Sequence, residues 1–213
     1  MTTLHIPDPD ERGDLGAFIA RVVRLDAGAS ARLRAGADTV TAWASTPFDV
    51  LATRTVHGVL DAPDITLPAN TLLTALAVER AATLELRPGG PWPGELPPDH
   101  GWSAIDSVPA TEVDALTERG LAVARENAGP LGPPASLLDQ TVLTVTAATG
   151  PAVPAGQIIR VPLRCLFALS GMGFTGGQDD GPVRVSATGS WLRLDARYGA
   201  VVRRRTLTLP LLV

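Results

Sequence analysis

Thr39-Val-Thr-Ala-Trp-Ala-Ser45 alternates polar with apolar residues, and Val50-Leu-Ala-Thr-Arg-Thr-Val56 follows it after a short interval. An alternation of period two places every second side chain on one face, as a half-buried strand requires. The interval, Ser45-Thr-Pro-Phe-Asp49, supplies turn residues, with Pro47 fixing φ where the chain reverses. The two runs therefore predict strands paired through a turn. Arg32-Leu-Arg-Ala35 adds a short strand upstream.

Working outward, Asp14 to Asp26 carries two overlapping patterns. Leu15, Phe18, Ile19 and Val22 sit at helical spacing, while Ile19-Ala-Arg-Val-Val-Arg-Leu25 has the β-branched content of a strand. The β-like neighbours favour a strand. Pro68 to Arg80 reads as a helix, with Ala69, Leu72, Leu73 and Leu76 as its apolar stripe and Pro68 in the first turn. Residues 1–86 thus form a β-rich part with one helix. Residues 87–101 hold five prolines and four glycines, which sustain neither a helix nor a central strand. The loop is taken as 87–104, and its indoles, Trp92 and Trp102, have apolar faces that pin it to the body.

Residues 105–213 read as helices plus a C-terminal β-hairpin. Ser107-Val-Pro-Ala-Thr-Glu112 opens a helix whose stripe, Val113, Leu116 and Val123, runs to Gly129-Pro130. Leu137, Leu138 and Leu143 suggest a second helix, turning extended over Val142–Thr146. Pro162–Ser170 fits a short third helix, closed by Gly171. Val183–Ser186, Ser190–Asp195 and Ala200–Leu209 read as strands, and Thr206–Val213 as an edge strand or docked tail. The expected class is α+β, and residues 105–213 either stand apart from 1–86 or form one compact domain with them.

Composition narrows the chemistry. The chain has 213 residues, 45% hydrophobic and 19% charged, enough apolar material for a packed core. Its one cysteine, Cys165, excludes an intramolecular disulfide and lies in an apolar run, which suits a small buried hydrophobe. All 18 basic residues are arginine, so Schiff-base and phosphate-gripping lysine chemistry is excluded. This arginine-for-lysine usage, rich in alanine, glycine and proline, resembles the composition of high-GC genomes such as those of actinobacteria. No stretch reaches the run of about 18 apolar residues that spans a bilayer, and no secretory signal is visible at the start. A cytoplasmic protein without membrane contact is expected.

The motifs assign no activity. Gly171-Met-Gly-Phe-Thr-Gly176 matches the dinucleotide fingerprint, but that motif needs a strand before it and a helix after it. Here a helix precedes it, and Gly177-Gln-Asp-Asp-Gly-Pro182 follows with two acids that repel phosphate. A helix cap and loop is the better reading. His5, His57 and His100 lack partners at metal-ligand spacing, and Asp99 beside His100 points the other way on an extended chain. No catalytic residue, metal site or cofactor is therefore expected, and the missing motifs point away from an enzyme. A triad assembled in space from distant residues stays open.

Charge is divided along the chain: residues 151–213 carry eight arginines against three acids, and residues 1–150 ten against nineteen. Such asymmetry marks a surface for nucleic acid or an acidic protein. The order of helices followed by a hairpin resembles winged-helix domains. That resemblance implies that the helix at Pro162–Ser170 enters the major groove while hairpin arginines reach phosphates. Two features depart from the pattern: the long link from Thr146 to Gly156, and the apolar character of the supposed reading helix. The reading favoured is a non-catalytic regulatory or interaction protein that contacts its partner through Arg184, Arg193, Arg197, Arg203, Arg204 and Arg205. The alternative is a small-molecule-binding protein or small enzyme with a pocket at Trp92, His100 and Trp102. A homodimer in which acidic and basic parts meet is a third arrangement.

Overall fold

The computed structural model describes residues 1–79, 81–130, 132–147, 153–177 and 181–205. They fall into two compact units. The first is Met1–Glu95 with Gly171–Phe174 and Tyr198–Ala200, and the second holds Leu96–Ser170, Thr175–Arg197 and the chain from Val201. No helix among the described residues is long and apolar enough to cross a membrane.

In the first unit the elements run β1 (Thr2–His5), α1 (Pro9–Leu25), β2 (Ser30–Ala35), β3 (Thr39–Thr46), β4 (Val50–His57), β5 (Val59–Leu60), β6 (Asp64–Pro68), α2 (Ala69–Glu79) and β7 (Thr83–Leu86). The quoted hairpin forms as its pattern requires, with Trp43 opposite Thr53 and Thr46 opposite Val50. Its turn places Asp49 at φ 57°, and the Thr46 hydroxyl donates to the Val50 carbonyl at 2.7 Å. Strands β6, β2, β3 and β4 lie side by side in that order, and β5, β1 and β7 form a small separate sheet.

The segment at Asp14–Asp26 is a helix, which corrects the expected strand. Its start lies upstream of the ambiguous run: Asp8 accepts from the Asp10 amide at 2.8 Å, and Pro9 occupies the first turn. Leu15, Phe18, Ile19 and Val22 then share one buried face, packed on β3, β4 and α2. Burial of four such side chains, at about 1.5–3 kcal/mol each, outweighs the few tenths by which β-branched residues disfavour a helix. The second predicted helix also shifts slightly. Pro68 closes β6 and α2 begins at Ala69, while Arg80 lies outside the described residues.

The second unit contains β8 (Ser103–Pro109), α3 (Ala110–Glu126), α4 (Ala135–Leu138), β9 (Thr141–Thr146), β10 (Ile158–Pro162), β11 (Pro182–Ala187), β12 (Trp191–Ala196), α5 (Leu163–Gly171) up to Ser170 and β13 (Gly199–Arg204) from Val201. Strands β13, β12, β11 and β8 are neighbours in that order. Two expectations are corrected here. Ser107 does not cap a helix: it sits in β8 opposite Arg184, and α3 starts behind Pro109 with no side-chain cap. The second predicted helix shrinks to α4, because Thr141-Val-Leu-Thr-Val-Thr146 pairs antiparallel with β10. A hairpin thus stands where the winged-helix order needs a helix.

Helix α5 is buried from Leu163 through Leu169, with Cys165 among them. A helix enclosed on all sides has no face to offer a DNA groove. It leads into the Gly171–Gly176 run, as the sequence implied. Residues 206–209 of the last predicted strand, and the whole Thr206–Val213 tail, lie outside the described residues.

Candidate anion-binding recess

Strand geometry builds a recess within the second unit. On β10, Ile158, Arg160 and Pro162 alternate with Ile159 and Val161, which are fully buried. Side chains two apart share a face, so the buried pair turns Ile158 and Arg160 outward together, while Pro162 at the strand's end is itself buried. Pro162 lies opposite Thr141, where the register shifts at Val161/Pro162. These residues, with Asp139, Leu192, Arg203, Arg204 and Arg205, line a cavity of about 440 Å³. Four arginines and a single carboxylate are among the lining residues, and none of these is aromatic.

Asp139 organises one side of it. The aspartate ends α4 and accepts at Oδ1 from Arg164 Nε (2.9 Å) and Nη2 (2.8 Å), and from Arg203 Nη2 (3.3 Å). Arg164 is buried, at 6% exposure, so its charge needs this partner. The next arginine is held differently. Arg204 follows Arg203 in an extended strand, so the two leave opposite faces, and Arg204 lies 5.9 Å from the Trp191 ring. Arg205 donates to the carbonyls of Thr188 (2.7 Å) and Gly189 (3.4 Å), and burial pushes its guanidinium below its ordinary pKa. Arg160 is exposed and has no ion-pair or hydrogen-bond partner among the described residues.

Of the residues singled out in the sequence, Arg203, Arg204 and Arg205 meet in this recess. Arg184, Arg193 and Arg197 do not line it. Arg193 pairs with Asp195 at 2.7 Å and lies 5.9 Å from the Trp102 ring, Arg184 stands opposite Asp195 in the ladder, and Arg197 is exposed. Trp102 donates its indole N–H to the Pro98 carbonyl at 3.0 Å, which fastens the loop to itself. Trp92 is half-buried in the first unit, whereas His100 is exposed and lies with Trp102 in the second. Asp139, Thr141 and Ile158 were not expected at a site. The alternation Thr141–Thr146 and the run Ile158-Ile-Arg-Val161 were the available signals, and both were overshadowed by the leucines read as helix. Among the described residues no group of three or more His, Cys, Asp or Glu is placed to hold a metal.

The fold has counterparts of known structure. The DNA polymerase sliding clamp from Caulobacter crescentus matches with a TM-score of 0.60 and 16% identity, over 99% of this chain and 67% of that one. The clamp from Bacillus subtilis gives 0.57 and 15%, over 99% and 66%. The DNA polymerase III subunit beta from Pseudomonas aeruginosa gives 0.56 and 16%, over 99% and 66%. The class defined here is therefore the sliding-clamp fold, and the chain spans about two thirds of the length of these proteins. This sharpens the α+β expectation and replaces the helices-then-hairpin arrangement. The chain belongs to the family described as Domain of unknown function (DUF8185), whose model matches residues 97–208. A second model, Domain of unknown function (DUF8010), matches residues 1–93. No curated protein matches the chain in sequence.

Proposed function

We propose that this chain is a non-catalytic interaction protein that engages DNA through the arginines of its second unit. The observation carrying this reading is the convergence of Arg160 with Arg203, Arg204 and Arg205 around one recess. Guanidinium forks suit phosphate oxygens geometrically and stay charged at every physiological pH. The fold adds support, since it is the one found in DNA polymerase sliding clamps. A role in DNA replication or its control fits both, with the protein acting by holding partners. An acidic protein partner is the competing outcome.

The test is a fluorescence-anisotropy titration of labelled duplex and single-stranded DNA at low and raised salt. Expected is binding that weakens with salt, log K falling by about 0.9 per phosphate neutralised. The paired change Arg160→Glu with Arg204→Glu should weaken binding about tenfold or more and flatten the salt slope by about two contacts. Absence of DNA affinity at low salt would remove this reading.

A further inference from the structure

We propose that the recess seats a compact phosphate group, a phosphomonoester or pyrophosphate, carried either on a free small molecule or at the end of a DNA strand. This rests on the DNA reading only for its second source. The recess differs from a surface that tracks a nucleic-acid backbone, because it is a concavity and not a strip. At about 440 Å³ it lies in the size range of small-ligand pockets, about 300–1,000 Å³, and has room for a phosphate with a short organic body.

Its chemistry selects within that class. Arginines outnumber the single carboxylate among the lining residues, which favours a ligand with more than one negative charge, so a monocarboxylate neutralises the site poorly. No aromatic ring among the lining residues offers a stacking platform, so the site does not grip a base. Ile158, half-exposed at 51%, and Leu192 and Pro162 give aliphatic wall beside the cationic one. The arrangement fits a charged head with an aliphatic or sugar-like stem. Asp139 has a second consequence. Its Oδ1 occupies donors of Arg164 and Arg203, so it competes with any incoming anion for Arg203.

Pyrophosphate and inorganic phosphate are the probes, titrated into the full chain by calorimetry and by thermal shift. Expected is a rise in melting temperature with pyrophosphate exceeding that with phosphate. Arg160→Gln, at an exposed position, should weaken pyrophosphate about tenfold, the usual worth of one charged hydrogen-bond partner. Arg119→Gln, on an exposed face of α3, should leave it unchanged. Asp139→Asn, if it keeps the wild-type hydrogen-exchange pattern, should tighten pyrophosphate severalfold, which loss of a merely structural ion pair would not do. DNA duplexes with and without a 5′-phosphate separate the two sources: preference for the phosphorylated end assigns the strand end, and equal affinity assigns the free molecule. No pyrophosphate response in the wild type, or equal affinity in Arg160→Gln, overturns the recess proposal while leaving salt-sensitive DNA binding intact. Pyrophosphate binding without DNA binding does the reverse.

Discussion

Helices α1 and α3 are both seventeen residues long, and each follows a strand that opens its unit. What holds them differs. Helix α1 carries its own instructions: Asp8 caps it, Pro9 starts it, and Asp10 and Glu11 complement the positive end of its dipole. Helix α3 starts behind Pro109 with no side-chain cap, and its glycine, Gly120, is pressed against the buried Leu163 of α5. The start of the first helix is set by its local sequence, whereas the second lacks such a signal and depends on what packs on it. The lesson is that two elements of one length and similar amphipathicity can owe their place to different levels of the fold.

The largest expected effect lies where α1 meets the chain's return. Phe18 is 1% exposed and stacks on Phe174, with ring centroids 6.3 Å apart and planes 5° from parallel. Phe18→Ala should cost about 3–5 kcal/mol, the range for deleting a buried phenyl ring. Amide hydrogen exchange should show the loss of protection throughout α1, β3 and β4. Because the Asp8 cap does not depend on Phe18, the capped Asp10 amide should change least from wild type among the amides of α1. Uniform loss through the first turn would mean that the cap contributes little.

The same contrast explains what could be read from the sequence. The β3–β4 hairpin was legible because its information is local: period two, a turn proline, then period two again. Helix α1 was misread for a positional reason. Its start signal, Asp8-Pro9, lies ten residues before the Ile19–Leu25 run whose Val22 and Val23 suggested a strand. Strand β8 was misread because its partner, β11, is more than seventy residues away: Ser107 resembled a cap until Arg184 was placed opposite it. The recess suffered most from this. Arg203–Arg205 stood out as a triplet, but Arg160 reaches them only through β10, whose pairing with β9 spans the glycine- and proline-rich interval between them. Non-local pairing leaves no mark that a single sequence displays.

Gly120→Ala tests the tertiary side of the comparison. In an open helix the change would add about 1 kcal/mol through propensity. Here a Cβ at Gly120 would collide with Cδ1 of Leu163, and Cδ2 and Cγ lie within 3.1–3.2 Å. Leu163 is 1% exposed, so displacing it presses on its buried neighbours. Overpacking of this kind costs about 1–3 kcal/mol, so the net sign should reverse. Urea unfolding followed by tryptophan fluorescence would show a lower midpoint. In a Leu163→Ala background, itself destabilised by about 2–5 kcal/mol, the further change Gly120→Ala should lower the midpoint less or raise it, because the clash is gone.

Gly16→Ala is the counterpart in α1, with the smallest effect and the opposite sign. Gly16 is half-exposed inside the helix, its φ lies outside the left-handed range, and a Cβ there would meet nothing within 4 Å. The helix-propensity gain and the reduced freedom of the unfolded chain therefore act without a packing penalty, giving about 0.5–1 kcal/mol of stabilisation. Measured by the same unfolding experiment, the midpoint should rise where Gly120→Ala lowers it. The pair is diagnostic as a difference. If both substitutions stabilise, α3 is not held by its contact with α5. If both destabilise, α1 depends on close packing at Gly16 and its local signals are not what fix it.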